Sequence, residues 1–357
     1  MRAYLRGRPL GAIRARTACA CLLAAAAAGC GSGASSSTPA TSATKAAAPV
    51  APAPARNATL ILDFTPNAVH TGIYAALARH YDRDDGVHLH VIAPTATTDS
   101  IKLLETGKVN FAILDIHDLA IARERGEDVV GIMAIVERPL AAVIAAPDVG
   151  SPTALEGKTV GITGVPSDTA VLRSAVAGSG GNPAKVKTIT IGFNAVADLL
   201  AGRVAAATAF WNDEGVTIRS KRPGFHVFRV DDFGAPSYPE LVVCATGATL
   251  KRDPALARGV VDALVQGYEY TVSHPQQAAA DLEHETAGLD PKLVAAQLTA
   301  LLPAFRAPDG RVGTLDTASL AKWAAWEARF GIVSNPPDVA QTFDPTYAAS
   351  APSAPTG

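Results

Sequence analysis

Cysteine is scarce in this chain beyond its amino terminus. Cys19, Cys21 and Cys30 lie within the first 30 residues, and only Cys244 follows them. This distribution excludes a disulfide framework and a cysteine-rich zinc site. After residue 30, no stretch reaches the ~18 consecutive apolar residues that a membrane-spanning helix requires.

Basic residues are not in excess either. Five of the 31 lysines and arginines are arginines that precede residue 30, and no acidic residue accompanies them. The rest of the chain carries 26 basic and 33 acidic residues, so we do not expect nucleic acid as a partner. Apolar residues, in contrast, are plentiful. They make up 48% of the 357 residues, which is enough for the core of one large or two smaller lobes.

The amino terminus has the order of a secretory signal. Arginines between Arg2 and Arg16 precede an apolar run from Ala18 to Ala28, and small residues end it. The final Ala27-Ala28-Gly29-Cys30 resembles the cleavage box of bacterial lipoproteins, in which the cysteine becomes the lipidated first residue of the mature protein. We therefore expect residues 1–29 to be a signal peptide and Cys30 to carry a lipid. The alternative is an ordinary cleaved signal in which Cys30 is incidental.

Two segments are expected to lack a fold of their own. Residues 30–56 consist largely of Ser, Ala, Thr, Gly and Pro without an aromatic side chain. Such a segment cannot bury enough apolar area to offset its ordering entropy, so it is predicted to be a flexible tether. Residues 346–357 have a similar composition and are predicted to be a disordered tail. The expected location is outside the cytoplasm, at the bacterial cell membrane.

Between these segments, short β-like runs alternate with amphipathic helical segments. This alternation predicts α/β layers with mostly parallel sheets. Strands are predicted near 59–64, 87–92, 110–115, 129–136 and 141–146 in a first unit, and near 159–163, 186–191, 204–209 and 225–230 in a second. After a strand at 241–245, the pattern is almost wholly helical from 254 to 330. We assign 57–146 to lobe 1, 147–240 to lobe 2 and 241–345 to a helical return to lobe 1.

Polar motifs follow several of these strands. The first strand ends in Leu62-Asp63-Phe64-Thr65-Pro66-Asn67, with His70 shortly after. This segment resembles the opening signature of the thiamine-pyrimidine-precursor family of solute-binding proteins, usually Asp-Trp-x-Pro-Asn followed by a histidine. Phe64 stands where that family has Trp and keeps a planar stacking face. His70 is a candidate donor to a ring nitrogen or carbonyl, or else a local cap for Asn67.

The resemblance continues at the third strand, which ends in Asp115-Ile116-His117-Asp118. The related eukaryotic enzyme that makes the thiamine pyrimidine has Ile-His here, and its histidine is chemically consumed. That enzyme also needs a cysteine-rich run and a phosphate-binding glycine-rich turn, and this sequence has only Cys244 where the cysteine run would align. Asp115 and His117 are therefore expected to bind a ligand rather than to react.

The turn after the next predicted strand is Gly164-Val165-Pro166-Ser167-Asp168-Thr169. Ser167 or Asp168 at a helix start can accept from backbone N–H groups. The carboxylate of Asp168 would repel a phosphate at a site otherwise suited to anions. Ser167, Asp168 and Thr169 are candidate ligand contacts, and a purely structural cap is the alternative for Ser167 and Asp168.

The last motif, Phe210-Trp211-Asn212-Asp213-Glu214-Gly215, resembles the family's Trp-Asn-x-Glu-Gly segment. An indole that stacks and polar groups that contact the ring edge are what a flat heteroaromatic ligand requires. Trp211, Asn212 and Glu214 are thus predicted to bind it; the alternative has Trp211 in the core and Asn212 as a helix cap. In the Tyr238-Pro239-Glu240 segment, Glu240 is either a ligand acceptor or a hinge anchor.

The resemblance covers roughly residues 58–335 and implies a two-lobed periplasmic-binding-protein fold of type II, with a hinge-lined cleft. It implies a monomeric, lipid-anchored binding protein of an ABC importer, which would capture formylamino- or hydroxymethyl-aminopyrimidine, or a similar small heteroaromatic, for a permease. No catalysis, cofactor or metal is expected. The alternatives are a pyrimidine-synthesising enzyme, a riboflavin or sulfonate binder, and a sensor or scaffold lipoprotein with an emptied cleft.

Overall fold

A computed structural model describes residues 55–96, 98–165, 167–349 and 351. The predicted signal peptide and Cys30, and the tether up to residue 54, lie outside the described residues. The strands are β1 Arg56–Ile61, β2 Val87–Ile92, β3 Phe111–Asp115, β4 Val129–Ala134, β5 Ala141–Ala145, β6 Thr159–Ile162, β7 Lys187–Thr190, β8 Ala206–Phe210, β9 His226–Arg229 and β10 Leu241–Thr246. None of the helices in these ranges is long and apolar enough to cross a membrane.

The helices connect and cover these strands. They are α1 Thr71–Ala78, α2 Tyr81–Asp84, α3 Asp99–Glu105, α4 Ile116–Glu124, α5 Asp168–Gly178, α6 Ala195–Leu200, α7 Glu214–Lys221, α8 Gly247–Arg252, α9 Pro254–Ser273, α10 Pro275–Glu285, α11 Pro291–Leu301, α12 Thr317–Phe330, α13 Val339–Thr342 and α14 Thr346–Ala349. Local sequence sets several of their starts. Asp253 accepts from Leu256 N and Pro254 follows it, which is a favourable opening for α9.

The strands form two five-stranded sheets, one in each lobe. The order is β2-β1-β3-β10-β4 in lobe 1 and β7-β6-β8-β5-β9 in lobe 2. Parallel pairs link β2, β1 and β3, and likewise β7, β6 and β8, while β10 and β5 run antiparallel to both of their neighbours. The predicted mostly parallel α/β architecture is thus confirmed, with one antiparallel strand in each sheet.

Lobe 1 has apolar layers on both faces of its sheet. Neighbouring residues of β1 point to opposite faces, as in any strand: Leu60 joins the cluster that contains Tyr268 of α9, and Ile61 joins the cluster that contains Trp323 of α12. β3 is a continuous apolar run that is buried up to Leu114, as expected of a strand covered on both faces.

The structure corrects two boundaries and the predicted tail. β5 pairs with β8 and β9, so Ala141–Ala145 belongs to lobe 2 and not to lobe 1 as predicted. β1 begins at Arg56, which pairs with Val87, so the last residue of the predicted 30–56 tether belongs to lobe 1. Thr346–Ala349 is a helical turn with Tyr347 buried, because this segment packs against α9 and β4. The predicted disordered tail is therefore wrong for this turn, and residues 350 and 352–357 lie outside the described residues.

Residues 135–140 and 234–240 cross between the two sheets and contact each other. The carboxylate Oε2 of Glu240 accepts from the backbone N–H of Leu140 at 2.6 Å and of Ala141 at 2.7 Å. Ile135 N donates to Leu241 O at 2.8 Å. These bonds join the two crossings at the base of the cleft.

Candidate ligand site

A cavity lies between the two sheets, at the ends of their parallel strands. Asp63 shortly after β1 and Asp115 at the end of β3 line it from lobe 1; Thr163 after β6 and Phe210 at the end of β8 line it from lobe 2. The space open to the centre of a water molecule is about 120 Å³. Since one water needs about 10–15 Å³ of such space, the cavity suits a ligand of roughly ten non-hydrogen atoms.

Two phenyl rings meet across the cleft. Phe64 of lobe 1 and Phe193 of lobe 2 have centroids 4.4 Å apart and an interplanar angle of 79°. This is the edge-to-face arrangement that aromatic pairs prefer. Both rings line the cavity, so a flat ligand would contact them when the lobes are closed.

The polar lining is acidic. Among the described residues that line the cavity, none is Lys, Arg or His, and the carboxyl groups are those of Asp63, Asp115, Asp118, Asp168, Asp213 and Glu214. Lobe 1 contributes the first three and lobe 2 the last three. An anionic ligand would find no countercharge among these residues.

Burial raises the pKa of several of these carboxyl groups because the charged form is desolvated. The pKa of Asp213 rises to about 6 and that of Glu214 to about 8. At neutral pH Glu214 is therefore largely protonated and can donate a hydrogen bond. For Asp115, burial also raises the pKa, although the nearby His117 opposes this shift.

Asp168 is held by three donors. Its Oδ2 accepts from Thr163 Oγ1 at 2.7 Å and from Gly164 N at 2.9 Å, and its Oδ1 accepts from Thr208 Oγ1 at 2.9 Å. Burial raises the pKa of Asp168, and these hydrogen bonds counteract part of that rise. Asp168 is also the first residue of α5, so a carboxylate already occupies the helix start that an anion would use.

The structure brings half of the predicted site residues to the cavity. Those that line it are Asp63, Phe64, Asn67, Asp115, Ser167, Asp168 and Glu214. The predicted residues that do not line it are His70, His117, Thr169, Trp211, Asn212, Tyr238 and Glu240.

His117, Tyr238 and Glu240 lie in the hinge and not in the cleft. The ring of His117 is fully buried: Nδ1 contacts the Glu327 carboxylate, and Nε2 lies 3.1 Å from Tyr238 Oη and 3.5 Å from Glu240 Oε1. Burial alone would lower the pKa of His117, but Glu327, Asp115 and Glu240 raise it to about 10. His117 is thus a buried cation enclosed by carboxylates, and Glu240 is the hinge anchor.

Trp211 is a core residue at the junction of the lobes. It is 6% exposed, and its indole Nε1 donates to Pro139 O in the first crossing at 2.9 Å. The guanidinium carbon of Arg229 lies 4.4 Å from the ring centroid. The indole is therefore packed against the crossing and a lobe 2 strand. The structure therefore does not bring the indole to the cavity that it was predicted to line, and its buried neighbour Asn212 does not line that cavity either.

His70 and Thr169 contact no ligand cavity either. His70 is buried; its Nδ1 accepts from Asn67 N at 3.2 Å and its Nε2 lies 2.9 Å from Asp63 Oδ1. It therefore positions Asp63 and closes the turn that Asn67 begins. Thr169 is exposed, because it follows Asp168 on α5 and faces away from the buried side of that helix.

Several lining residues were not predicted from the sequence. The principal ones are Asp118, Phe193, Phe210, Asp213, Thr163 and Thr208. Position after a strand would have indicated Phe193, which follows β7, and Phe210, which ends β8. Asp118 lies one helical turn after Asp115, and that spacing was the available signal for it.

One group of described residues has the composition of a metal site. Potential ligand atoms of Asp115, His117 and Glu240 lie within 4.8 Å of one another. However, both ring nitrogens of His117 already contact Glu327 and Tyr238, and the raised pKa keeps a proton on the ring. We therefore assign no metal to this group.

Comparison with known proteins agrees with this geometry. A family model described as NMT1/THI5 like matches residues 67–278. A formylaminopyrimidine-binding protein of Halalkalibacterium halodurans is 29% identical over 274 residues, which cover 75% of this chain and 83% of that protein. A 4-amino-5-hydroxymethyl-2-methylpyrimidine phosphate synthase of Legionella pneumophila is 23% identical over 225 residues, covering 62% and 71%. A binding protein thus matches more of the chain, at higher identity, than this enzyme does.

Solved structures show the fold. The alkanesulfonate-binding protein SsuA of Xanthomonas axonopodis pv. citri has a TM-score of 0.65 at 14% identity, with 82% of this chain and 99% of that chain covered. The nitrate-binding protein NrtA of Synechocystis PCC 6803 has a TM-score of 0.65 at 10% identity, with 82% and 87% covered. The chain therefore belongs to the NMT1/THI5-like family and has the two-lobed fold of periplasmic binding proteins, as the sequence predicted.

Proposed function

We propose that this protein is the extracytoplasmic substrate-binding lipoprotein of an ABC importer. Its ligand would be a thiamine pyrimidine precursor, formylamino- or hydroxymethyl-aminopyrimidine, or a similar small heteroaromatic. The observation that carries the proposal is the cavity between the lobes, in which Phe64 and Phe193 meet from opposite lobes and carboxyl groups line the wall. A monomer that closes on its ligand and then docks on a permease would use this arrangement.

The carboxyl groups suit the edge of an aminopyrimidine. A protonated carboxyl such as Glu214 can donate to a ring nitrogen, and a carboxyl oxygen of Asp168 can accept from an exocyclic amino group. A sulfonate or nitrate would instead meet acidic groups without a basic partner in the described lining. Riboflavin is larger than the ligand of roughly ten non-hydrogen atoms that the cavity suits.

The cavity also lacks the features of the enzyme alternative. His117 is buried in the hinge, where Glu327 and Tyr238 occupy both of its ring nitrogens. Cys244 is fully buried, and burial raises the pKa of its thiol, so it is held as an unreactive thiol. Neither side chain lines the cavity.

A ligand panel tests this proposal directly. We expect an aminopyrimidine, at a hundredfold excess over its dissociation constant, to stabilise the purified domain by about 2.7 kcal/mol. Phe193→Ala should weaken this binding about tenfold or more, because the variant loses both the apolar area of the phenyl ring and its contact with an aromatic ligand. Ile189→Ala is the matched control, since Ile189 is 46% exposed on the β7 edge. Stabilisation by sulfonates or flavins alone would contradict the proposed ligand class, and mass spectrometry of the co-purified small molecule identifies the ligand independently.

We propose further that Cys30 carries the membrane anchor. A multiply acylated cysteine holds a protein at a membrane stably, whereas one chain does so only marginally. Cys30→Ala should therefore move the protein from the membrane fraction to the soluble fraction of the producing cells. Cys19→Ala is the matched control and should stay in the membrane fraction. Retention of the Cys30 variant at the membrane would contradict the anchor.

A further inference from the structure

Two carboxyl groups face the cavity from opposite lobes, and nothing basic lies between them among the described lining residues. Asp118 belongs to α4 of lobe 1, and Asp168 is the first residue of α5 of lobe 2. Both groups line the same cavity, and the pKa of Asp118 is raised by burial first and also by the negative charge of Asp168.

The two carboxyl groups differ in how they are satisfied. Asp168 accepts from Thr163, Gly164 and Thr208, which stabilises it as a carboxylate. Asp118 is partly exposed and lines the cavity, but its Oδ1 is buried and has no hydrogen-bond partner in the described part of the chain. A carboxylate without a donor is costly, and a ligand bound in the cavity that Asp118 lines can supply the missing donor.

We propose that Asp118 and Asp168 form a clamp for a positively charged, planar nitrogen group of the ligand, such as a ring-protonated aminopyrimidine or an amidinium. The clamp depends on the proposed function in one respect only, which is that both place the ligand in the same cavity. A cation between the two groups would satisfy Asp118 and neutralise the repulsion that closure otherwise creates. The ligand charge would then stabilise the closed state, in addition to the phenyl contacts.

The neighbours of Asp118 compensate its negative charge only in part. From its own helix Asp118 faces His117 and Arg125, which lower its pKa, and from α5 and α12 it faces Asp168 and Glu327, which raise it. Asp115 of β3 is a further acidic neighbour. With burial as the largest cause, the pKa of Asp118 rises to about 7. His117 is already enclosed by carboxylates, so its charge is shared with Glu327 and Glu240.

Three probes of one shape but different charge test the clamp: benzamidine, benzamide and benzoate. In isothermal titration at pH 7.5 with millimolar probe, we expect the benzamidinium cation to bind at least about tenfold more tightly than neutral benzamide, and benzoate not to bind. Asp118→Asn should remove this preference, because the amide keeps the shape but not the charge. Asp148→Asn, in an exposed ion pair with Lys158 far along lobe 2, is the matched control and should bind as the wild type does. Benzamidinium that binds no better than benzamide to the wild type overturns the clamp, even if Asp118→Asn does not fold.

The pH dependence provides a second readout. Benzamidinium stays charged between pH 5.5 and 8, so its affinity should rise as Asp118 ionises near pH 7. In Asp118→Asn the rise should be smaller, because only Asp213 and Glu214 still ionise over this range. A flat profile in the wild type overturns the clamp. Aminopyrimidines measured in parallel separate the two proposals: if they bind and benzamidinium does not, the clamp is wrong and the pyrimidine function stands. If benzamidinium binds and they do not, the clamp stands and the pyrimidine function is wrong.

Discussion

At the scale of single residues, the hinge shows how neighbours decide what a side chain can do. His117 follows a buried strand, as a ligand-binding histidine would, but its ring lies among Glu327, Tyr238 and Glu240. Because its pKa is raised to about 10, it holds its proton throughout the physiological range. It therefore acts as a fixed positive charge that joins α4, α12 and the second crossing.

Trp211 gives the first prediction at this scale. Truncating a buried Trp to Ala leaves a cavity, so Trp211→Ala should lower the free energy of unfolding by about 3–5 kcal/mol. Trp211→Phe keeps a ring but loses the hydrogen bond to Pro139 O, and should cost about 1 kcal/mol for that bond in addition to a smaller packing loss. Urea unfolding followed by circular dichroism measures both. An unchanged unfolding free energy in Trp211→Ala, together with lost ligand binding, would instead support the stacking role.

Part of the site could be predicted because strand ends have a fixed relation to the cleft. Asp63, Asp115 and Asp168 each follow a parallel strand, and all three line the cavity. The direction in which a side chain points after a strand, however, depends on contacts with residues distant in sequence. Trp211 and Glu214 share one motif, yet Pro139 and Arg229, distant in sequence, hold the indole in the core. Local sequence does not contain those contacts.

At the scale of elements, the strands that follow the crossings determine which sheet each segment joins. β5 and β10 are the antiparallel strands of their sheets, and each begins directly after a crossing. The apolar run of β5 was recognisable from sequence, but its partners Phe210 and Arg229 lie about 70–90 residues away. An apolar run of this length predicts a strand from the sequence alone, whereas the sheet that the strand joins depends on pairing with such distant residues. β2, by contrast, has the bounds 87–92 that the pattern predicted.

The contact between α1 and α9 leads to a prediction about helix packing. A Cβ added at Gly267 would lie 2.0 Å from Gly72 O and 2.8 Å from Ala76 Cβ, so the two helices approach closely only because position 267 has no side chain. Gly267→Ala should therefore lower the free energy of unfolding by about 1–3 kcal/mol, despite the better helix propensity of Ala.

The matched control for this packing is Gly150→Ala. No atom lies within 4 Å of a Cβ added at Gly150, so this variant should unfold within about 0.5 kcal/mol of the wild type. Urea denaturation of the two variants side by side measures the difference. Equal stabilities would mean that α1 and α9 can separate without cost, contrary to the packing described here.

At the scale of the whole molecule, the closed cleft concentrates buried acidic groups between the lobes. Burial raises the pKa of Asp118 to about 7, of Asp213 to about 6 and of Glu214 to about 8. Outside the cavity, burial raises the pKa of Glu137, in the first crossing, to about 8. Closing the lobes and folding the chain are thus both coupled to protons.

This coupling has a definite sign. A carboxyl group whose pKa is higher in the folded than in the unfolded protein binds its proton more tightly in the folded state. Its contribution is full below the unfolded value near 4 and is lost as the pH rises through the folded value. His117 has the same sign, since its folded pKa of about 10 lies above the unfolded value near 6.5. The groups named here all make the ligand-free protein less stable at alkaline pH.

We therefore expect the free energy of unfolding without ligand to fall by about 2 kcal/mol or more between pH 5.5 and pH 8.5, since one pKa unit corresponds to about 1.4 kcal/mol. Opening of the cleft would hydrate the cavity carboxyl groups and so reduce their part of this pH dependence. Glu137 and His117 lie outside the cavity, so their contributions would remain. Glu214→Gln removes one of the shifted groups and should flatten the profile, while Asp148→Asn, on the surface, should leave it unchanged. Urea titrations at several pH values measure this dependence. Equal or greater stability at pH 8.5 would show that these groups, Glu137 among them, are hydrated in the folded protein, contrary to their burial in the structure.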